Sequence, residues 1–160
     1  LMQSMSSFVA QNVGAGKEKR AKEAMFTGMI IGASIGVIIG LIAFFKGDML
    51  AYIFASNEKV VGCAADYLKG FSLEAVITCV LFSFIGYFNG HSQTLFVMSQ
   101  GLAQSFLVRL PMSYFMSIQP NANLTMIGLA APTATLFGIV INVIFFVIYN
   151  QKMKQEQIQI

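Results

Sequence analysis

Charged residues vanish from two long stretches of this chain: Ala24 to Phe45 gives 22 consecutive positions without Asp, Glu, Lys or Arg, and Leu110 to Gln151 gives 42. Stretches longer than the ~20 residues that cross a bilayer core predict transmembrane helices. Four spans follow, at about 24–45, 60–88, 95–118 and 124–149. The second would be roughly 43 Å long at 1.5 Å per residue, so it is expected to tilt or to break near Gly70. Polar punctuation separates the spans: KGDMLAYIFASNEK at 46–59, Asn89-Gly90, and Gln119-Pro120-Asn121-Ala122-Asn123. Residues 1–13 are apolar and helical in pattern but too short to cross, and are expected to be the end of a truncated transmembrane helix. Residues 14–23 form a basic connector, 24–149 a bundle of four transmembrane helices, and 150–160 a polar tail.

Within the first span the glycines fall at 28, 32, 36 and 40, each four residues after the last. Such a stripe lets another helix approach closely, and in lipid this packing replaces the hydrophobic effect. Gly28, Gly32, Gly36 and Gly40 are therefore expected to pack against a neighbouring helix.

Composition agrees with this pattern and narrows the class. Hydrophobic residues make up 56% of the chain and charged residues 11%, with a mean hydropathy of +0.71, whereas a soluble domain needs far more charge to cover itself. The expected fold class is all-α, a polytopic membrane helix bundle, and disordered, collagenous, nucleic-acid-binding and soluble-enzyme classes are set aside. The net charge of +3 is better read as topology than as a partner for nucleic acid. Lys17, Lys19, Arg20, Lys22, Lys152 and Lys154 fall on one side of the four spans, and Lys46 and Lys59 on the other. The first side is predicted to be cytoplasmic, and the carboxyl tail with it. Cys63 and Cys79 stand in apolar surroundings without a redox or metal spacing and read as packing residues.

The segment QNVGAGKEKRAKEA, followed by the glycine-rich span, resembles the multidrug and toxic compound extrusion family of efflux transporters. Gln11, Asn12, Gly14 and Ala15 carry the motif. MLAYIFASNEKVVGCAADYLKGFS is similar to the family's outer connector and the long helix after it, GYFNGHSQT to its inner turn, and FLVRLPMSYFMS to the next helix. The resemblance implies a fold of twelve helices in two six-helix lobes, of which this chain would match the end of the eighth helix and helices nine to twelve. It implies a carboxyl-terminal fragment or truncated product that works with a missing amino-terminal lobe. The implied function is cation-coupled export of organic, cationic compounds by alternating access in the plasma (inner) membrane, with Na⁺ or H⁺ as coupling ion and no other cofactor. A lipid-linked saccharide flippase and a small helical adaptor subunit remain alternatives. An enzyme is not expected, because no catalytic group set or metal spacing is present.

Charged groups inside a membrane are costly and are functional candidates by default. Glu74 lies in the second span with Tyr67, Gly70 and Thr78 on its face at helical spacing, a polar stripe suited to a cation. The resemblance implies an acidic coupling residue on this helix, and Thr78 competes with Glu74 for that place. Arg109 lies in the third span with Ser105, Ser113 and Ser117 at steps of four, two residues before Pro111, which frees a carbonyl one turn earlier. Asn142 with Thr135 and Gly138 forms a weaker polar face on the last span. His91, alone beside Gly90, reads as a solvated loop histidine. Organic substrates and membrane lipid are the expected partners, and metal ligands are not.

Overall fold

The computed structural model describes residues 1–120 and 122–158. Among these the chain is built from helices, without a strand. Asn121 of the expected break and residues 159–160 of the expected tail lie outside the described residues.

Helix α1, Met2–Gly14, ends in a tight turn where Gly16 takes a φ of +70°, a conformation glycine enters without steric cost. Helix α2, Glu18–Phe45, is the glycine-rich span, followed by the short α3, Gly47–Tyr52. Helix α4, Glu58–Phe71, starts where the Asn57 side chain accepts from the Lys59 amide at 3.0 Å, and α5, Glu74–Gly90, follows after a two-residue break. Helix α6, Thr94–Ala103, runs without interruption through a π-helical segment, Gln104–Arg109, into α7, Leu110–Ser117. Asn123 caps α8, Leu124–Gly128, by accepting from the Met126 amide at 2.8 Å, and α9, Ala130–Ile158, closes the chain.

Among the described residues two helices are long and apolar enough to cross a membrane, Glu18–Phe45 and Leu124–Met153, and α4 with α5 makes a third if the bent pair counts as one span. The pair bends by 49°. Where the sequence places its third span, the structure has the path α6, π segment and α7. Helix α9 continues past residue 150 to Ile158, so the start of the polar tail is helical.

The bend near Gly70 has a packing cause. Gly70 lies under α8, where an added methyl would overlap the Thr125 carbonyl oxygen, and the Thr125 hydroxyl donates to the Asp66 carbonyl oxygen at 2.8 Å. The short helix α8 therefore clasps α4 just before the chain turns. Ser72 adds a local bond from its hydroxyl to the Lys69 carbonyl at 2.7 Å, the kind of side-chain competition that loosens a helix ladder.

Helix α5 is central and packs against α1, α2 and α9. The four glycines of α2 are buried, while Ile30, Ile31, Ile35, Ile38, Ile39 and Ile42 on its other faces are exposed. Gly36 meets α5 backbone directly, and Gly40 meets the backbone of the break just before it. A methyl on Gly36 would stand 2.6 Å from the Ala75 carbonyl oxygen, and one on Gly40 2.8 Å from that of Ser72. Below this contact Val9, Met25, Phe84, Tyr87 and Phe88 form the buried core, flanked by Phe96, Phe145 and Phe146.

Candidate ion site between the bent helix and the last span

Glu74 is the first residue of α5, immediately after the bend, so its carboxylate sits at a helix amino terminus where the backbone dipole favours negative charge. Its Oε1 accepts a hydrogen bond from the Thr135 hydroxyl of α9 at 2.8 Å. Its Oε2 is buried and has no partner. One turn along α5, Thr78 presents a second buried oxygen without a partner. A carboxylate oxygen and a hydroxyl oxygen, both unsatisfied and on one helix face, are ligands for a hard cation or for a proton carrier.

Two glutamines extend the cluster from the opposite helix. Gln104, first residue of the π segment, donates to Thr135 Oγ1 at 3.4 Å and accepts from Gln100 Nε2 at 2.8 Å. Their approach to α9 is possible because Gly138 has no side chain, since a methyl there would overlap Gln104 Oε1. Asn142, one turn further, is fully buried. Its Nδ2 donates to the Gly138 carbonyl at 2.7 Å and its Oδ1 has no partner.

The structure therefore brings Glu74 together with Thr135 of α9 and leaves Thr78 one turn away on the same helix, with Asn142 further along the α9 face. Tyr67 stands apart. It lies beyond the bend on α4, stacks on Phe71 with ring centroids 5.9 Å apart, and lines an apolar cavity of about 730 Å³ with Leu50, Phe54 and Leu124. The stripe drawn from Tyr67 through Glu74 assumes one straight helix, and the bend interrupts it. Arg109 ends the π segment and is exposed. Of the motif residues, Gln11, Gly14 and Ala15 are exposed, whereas Asn12 is buried, donates to the Phe8 carbonyl at 2.7 Å, and offers its own carbonyl to the Lys17 amide at 2.8 Å.

At the other end of α5 the expectation for His91 is overturned. The residue is buried, with its Nε2 2.9 Å and 3.1 Å from the two Glu18 carboxylate oxygens and its Nδ1 2.9 Å from the Tyr87 carbonyl. Tyr87 also donates its hydroxyl to Glu18 at 2.6 Å. The physical reason is a partner 73 positions away, which no local pattern around Asn89-Gly90 reveals.

The MatE family model matches residues 1–115, and those residues include the bent pair, Gln104 and most of α7. The chain belongs to this family. The curated relatives that this MatE chain resembles include Protein DETOXIFICATION 14 of Arabidopsis thaliana, 36% identical over 40% of the chain and 12% of that protein. An uncharacterized transporter of Schizosaccharomyces pombe is 42% identical over 36% of the chain and 11% of its own length. Multidrug and toxin extrusion protein 2 of Oryctolagus cuniculus is 21% identical over 94% of the chain and 25% of that protein. The chain thus spans a quarter or less of each of these relatives. No solved structure matches significantly. MatE proteins are membrane transporters, and the apolar helices described above make this chain part of a multi-pass membrane protein. Thr135, Gly138 and Asn142, which complete the polar cluster, lie beyond the residues the family model matches.

Sequence reasoning missed Gln100, Gln104 and the direct bond from Thr135 to Glu74. A signal was available: two glutamines four residues apart inside an apolar helix are as costly to leave unpaired as hydroxyls.

Proposed function

We propose that this chain supplies part of the second lobe of an efflux transporter for organic, cationic compounds, with Glu74 as the carboxylate that couples export to an inward cation gradient. The observation that carries the proposal is the half-satisfied carboxylate: one oxygen held by Thr135, the other buried and free, at the point where a broken span meets the last helix. Irregular backbone at membrane depth is tolerated where it lines a site or cavity, and transporters place coupling ions at such breaks. A carboxylate binds Na⁺ or H⁺ only when it is able to ionise. Alternating access then requires the first lobe, which this chain lacks within its own helices, to rock against it. The same proposal places the protein in the plasma (inner) membrane with the carboxyl tail in the cytoplasm. The flippase alternative has less support, because its pyrophosphate substrate calls for several basic groups along a cleft and Arg109 stands as a single basic residue well inside a span.

The test is gradient-driven export of a fluorescent organic cation from vesicles holding the full-length protein at matched expression. Glu74→Gln keeps shape and hydrogen bonding but cannot ionise, so ion-dependent export is expected to fall at least tenfold while membrane insertion stays intact. An unchanged rate with unchanged ion dependence would remove Glu74 from the coupling role.

A further inference from the structure

Gln100, Gln104, Thr135 and Glu74 form a chain in which every step donates in the same direction. Gln100 Nε2 gives to Gln104 Oε1, Gln104 Nε2 gives to Thr135 Oγ1, and the Thr135 hydroxyl gives to Glu74 Oε1. A hydroxyl has a single proton, so a threonine that receives an amide donor on its lone pair keeps that proton aimed at the carboxylate. Donors in series also polarise one another toward the charge at the end. Two backbone features hold the series in place. Gln104 opens the π segment, a form of helix common at functional sites, and α9 presents Gly138 to both glutamines. The charged groups on α5's packing neighbours and on the helices beside them stand elsewhere. Those described on α2 lie in its first two turns, Glu58 and Lys59 are exposed at the start of α4, Asp66 and Lys69 of α4 pair with each other at 3.0 Å, Arg109 is exposed, and Lys152 is near the end of α9.

We propose that Gln104 and Thr135 are positioning residues of the Glu74 site. Their relay occupies Oε1 and steadies the empty, ionised carboxylate, which leaves Oε2, with the Thr78 hydroxyl one turn away, to meet the cation and release it again. The proposal rests on the coupling role of Glu74 proposed above. A donor that holds an ionised carboxylate competes with an incoming cation, and bonds to charged groups are the stronger kind. Cutting the relay therefore makes the cation bind more tightly and leave more slowly.

The experiment measures the half-saturating concentration of the driving cation, in separate Na⁺ and H⁺ arms, for export by the full-length protein in vesicles. A companion measurement reads affinity without turnover through a hydrophobic carbodiimide, which attacks the protonated carboxyl: in the Na⁺ arm it finds the concentration that half-protects Glu74, and in the H⁺ arm the proton concentration that gives half-maximal labelling. Thr135→Val removes the direct donor at nearly constant shape, and both concentrations are expected to fall about tenfold. Gln104→Leu acts through Thr135 and is expected to lower them about threefold. Thr135→Ser keeps the hydroxyl and should behave like the parent. If Glu74→Gln abolishes ion dependence while Thr135→Val and Gln104→Leu keep the parent's half-saturation, the relay is overturned and the coupling role of Glu74 stands. If Glu74→Gln leaves ion dependence unchanged, both fall. A lower maximal rate with unmoved half-saturation in both measurements marks a merely structural effect and also overturns the relay. Should Thr135→Val fail to insert, Gln104→Leu decides by the same two readings.

Discussion

Glu18 holds three polar partners on one carboxylate: the Tyr87 hydroxyl at 2.6 Å, the buried His91 ring, and Lys22 at 3.8 Å one turn along its own helix. The two His91 nitrogens face the Glu18 carboxylate and the Tyr87 carbonyl. The cluster ties the start of α2 to the end of α5 with charge-assisted bonds. Tyr87→Phe is therefore expected to cost about 1.5–3 kcal/mol, read as a lower unfolding midpoint in detergent. Because Tyr87 and His91 share Glu18, Glu18→Gln combined with Tyr87→Phe should cost less than the sum of the two by about 1 kcal/mol. Additive costs would mean that the tyrosine hydroxyl is satisfied elsewhere. The same residues show what was legible in the sequence. Glu74, Thr78 and Asn142 stand out as polar groups in apolar runs, and that local contrast is enough to find them. Glu18 and His91 do not, since each sits in a polar connector where charge is ordinary, and only their meeting in space gives them meaning.

At the scale of the element, α2 is the part of the fold most open to reading from sequence. A four-residue glycine repeat in an apolar run has one economical use, a close helix contact, and the buried face of α2 carries those glycines. The contact is uneven along its length. Near Gly32 the neighbour is a side chain, with an added methyl 3.1 Å from Cys79 Cβ, while at Gly36 it is backbone, with the Val76 Cα at 2.9 Å and the Ala75 oxygen closer still. Side chains yield and backbone does not, so Gly36→Ala is expected to lose folded, monodisperse protein on size exclusion by several-fold, at an overpacking cost of about 1–3 kcal/mol. Gly32→Ala should lose less. Ile31→Leu, on an exposed face, should match the parent. Equal yields for all three would mean that α2 does not bear on α5 through this stripe. The π segment and the bend before Glu74 lie at the opposite extreme of legibility. Hydropathy registers how apolar a stretch is and is blind to whether its ladder steps by four or by five. Gly70 marked a place where a break was allowed, but the clasp of α8 that produces it comes from residues 55 positions later.

For the whole molecule, polar contacts sort the connectors into two ends. Glu18, the His91 turn and Tyr149 meet at one, where Lys22, Asn150 and Gln151 also line a single cavity. At the other, Thr125 of α8 bonds to Asp66, and Leu124 shares a cavity with Leu50 of α3. The first end carries Lys17, Lys19, Arg20, Lys22 and Lys152, while Lys46, Lys59 and Lys69 fall near the second. Positive charge in short connectors is retained in the cytoplasm, so the first end is predicted to face the inside. Single cysteines placed at Lys19 and Lys152 should resist an impermeant thiol reagent in intact cells and react once the membrane is permeabilised, whereas one at Ser56 should react at once. All three sites are exposed in the structure, so a failure to label reports sidedness and not burial. Native Cys63 must be replaced first, because it is exposed on α4 at the second end and would answer for Ser56, and Cys79 with it. Labelling of Lys19→Cys but not Ser56→Cys in intact cells would invert the topology. It would then turn the Glu18 cluster toward the outside and require the cation to reach Glu74 from the side opposite to that assigned by the connector charges.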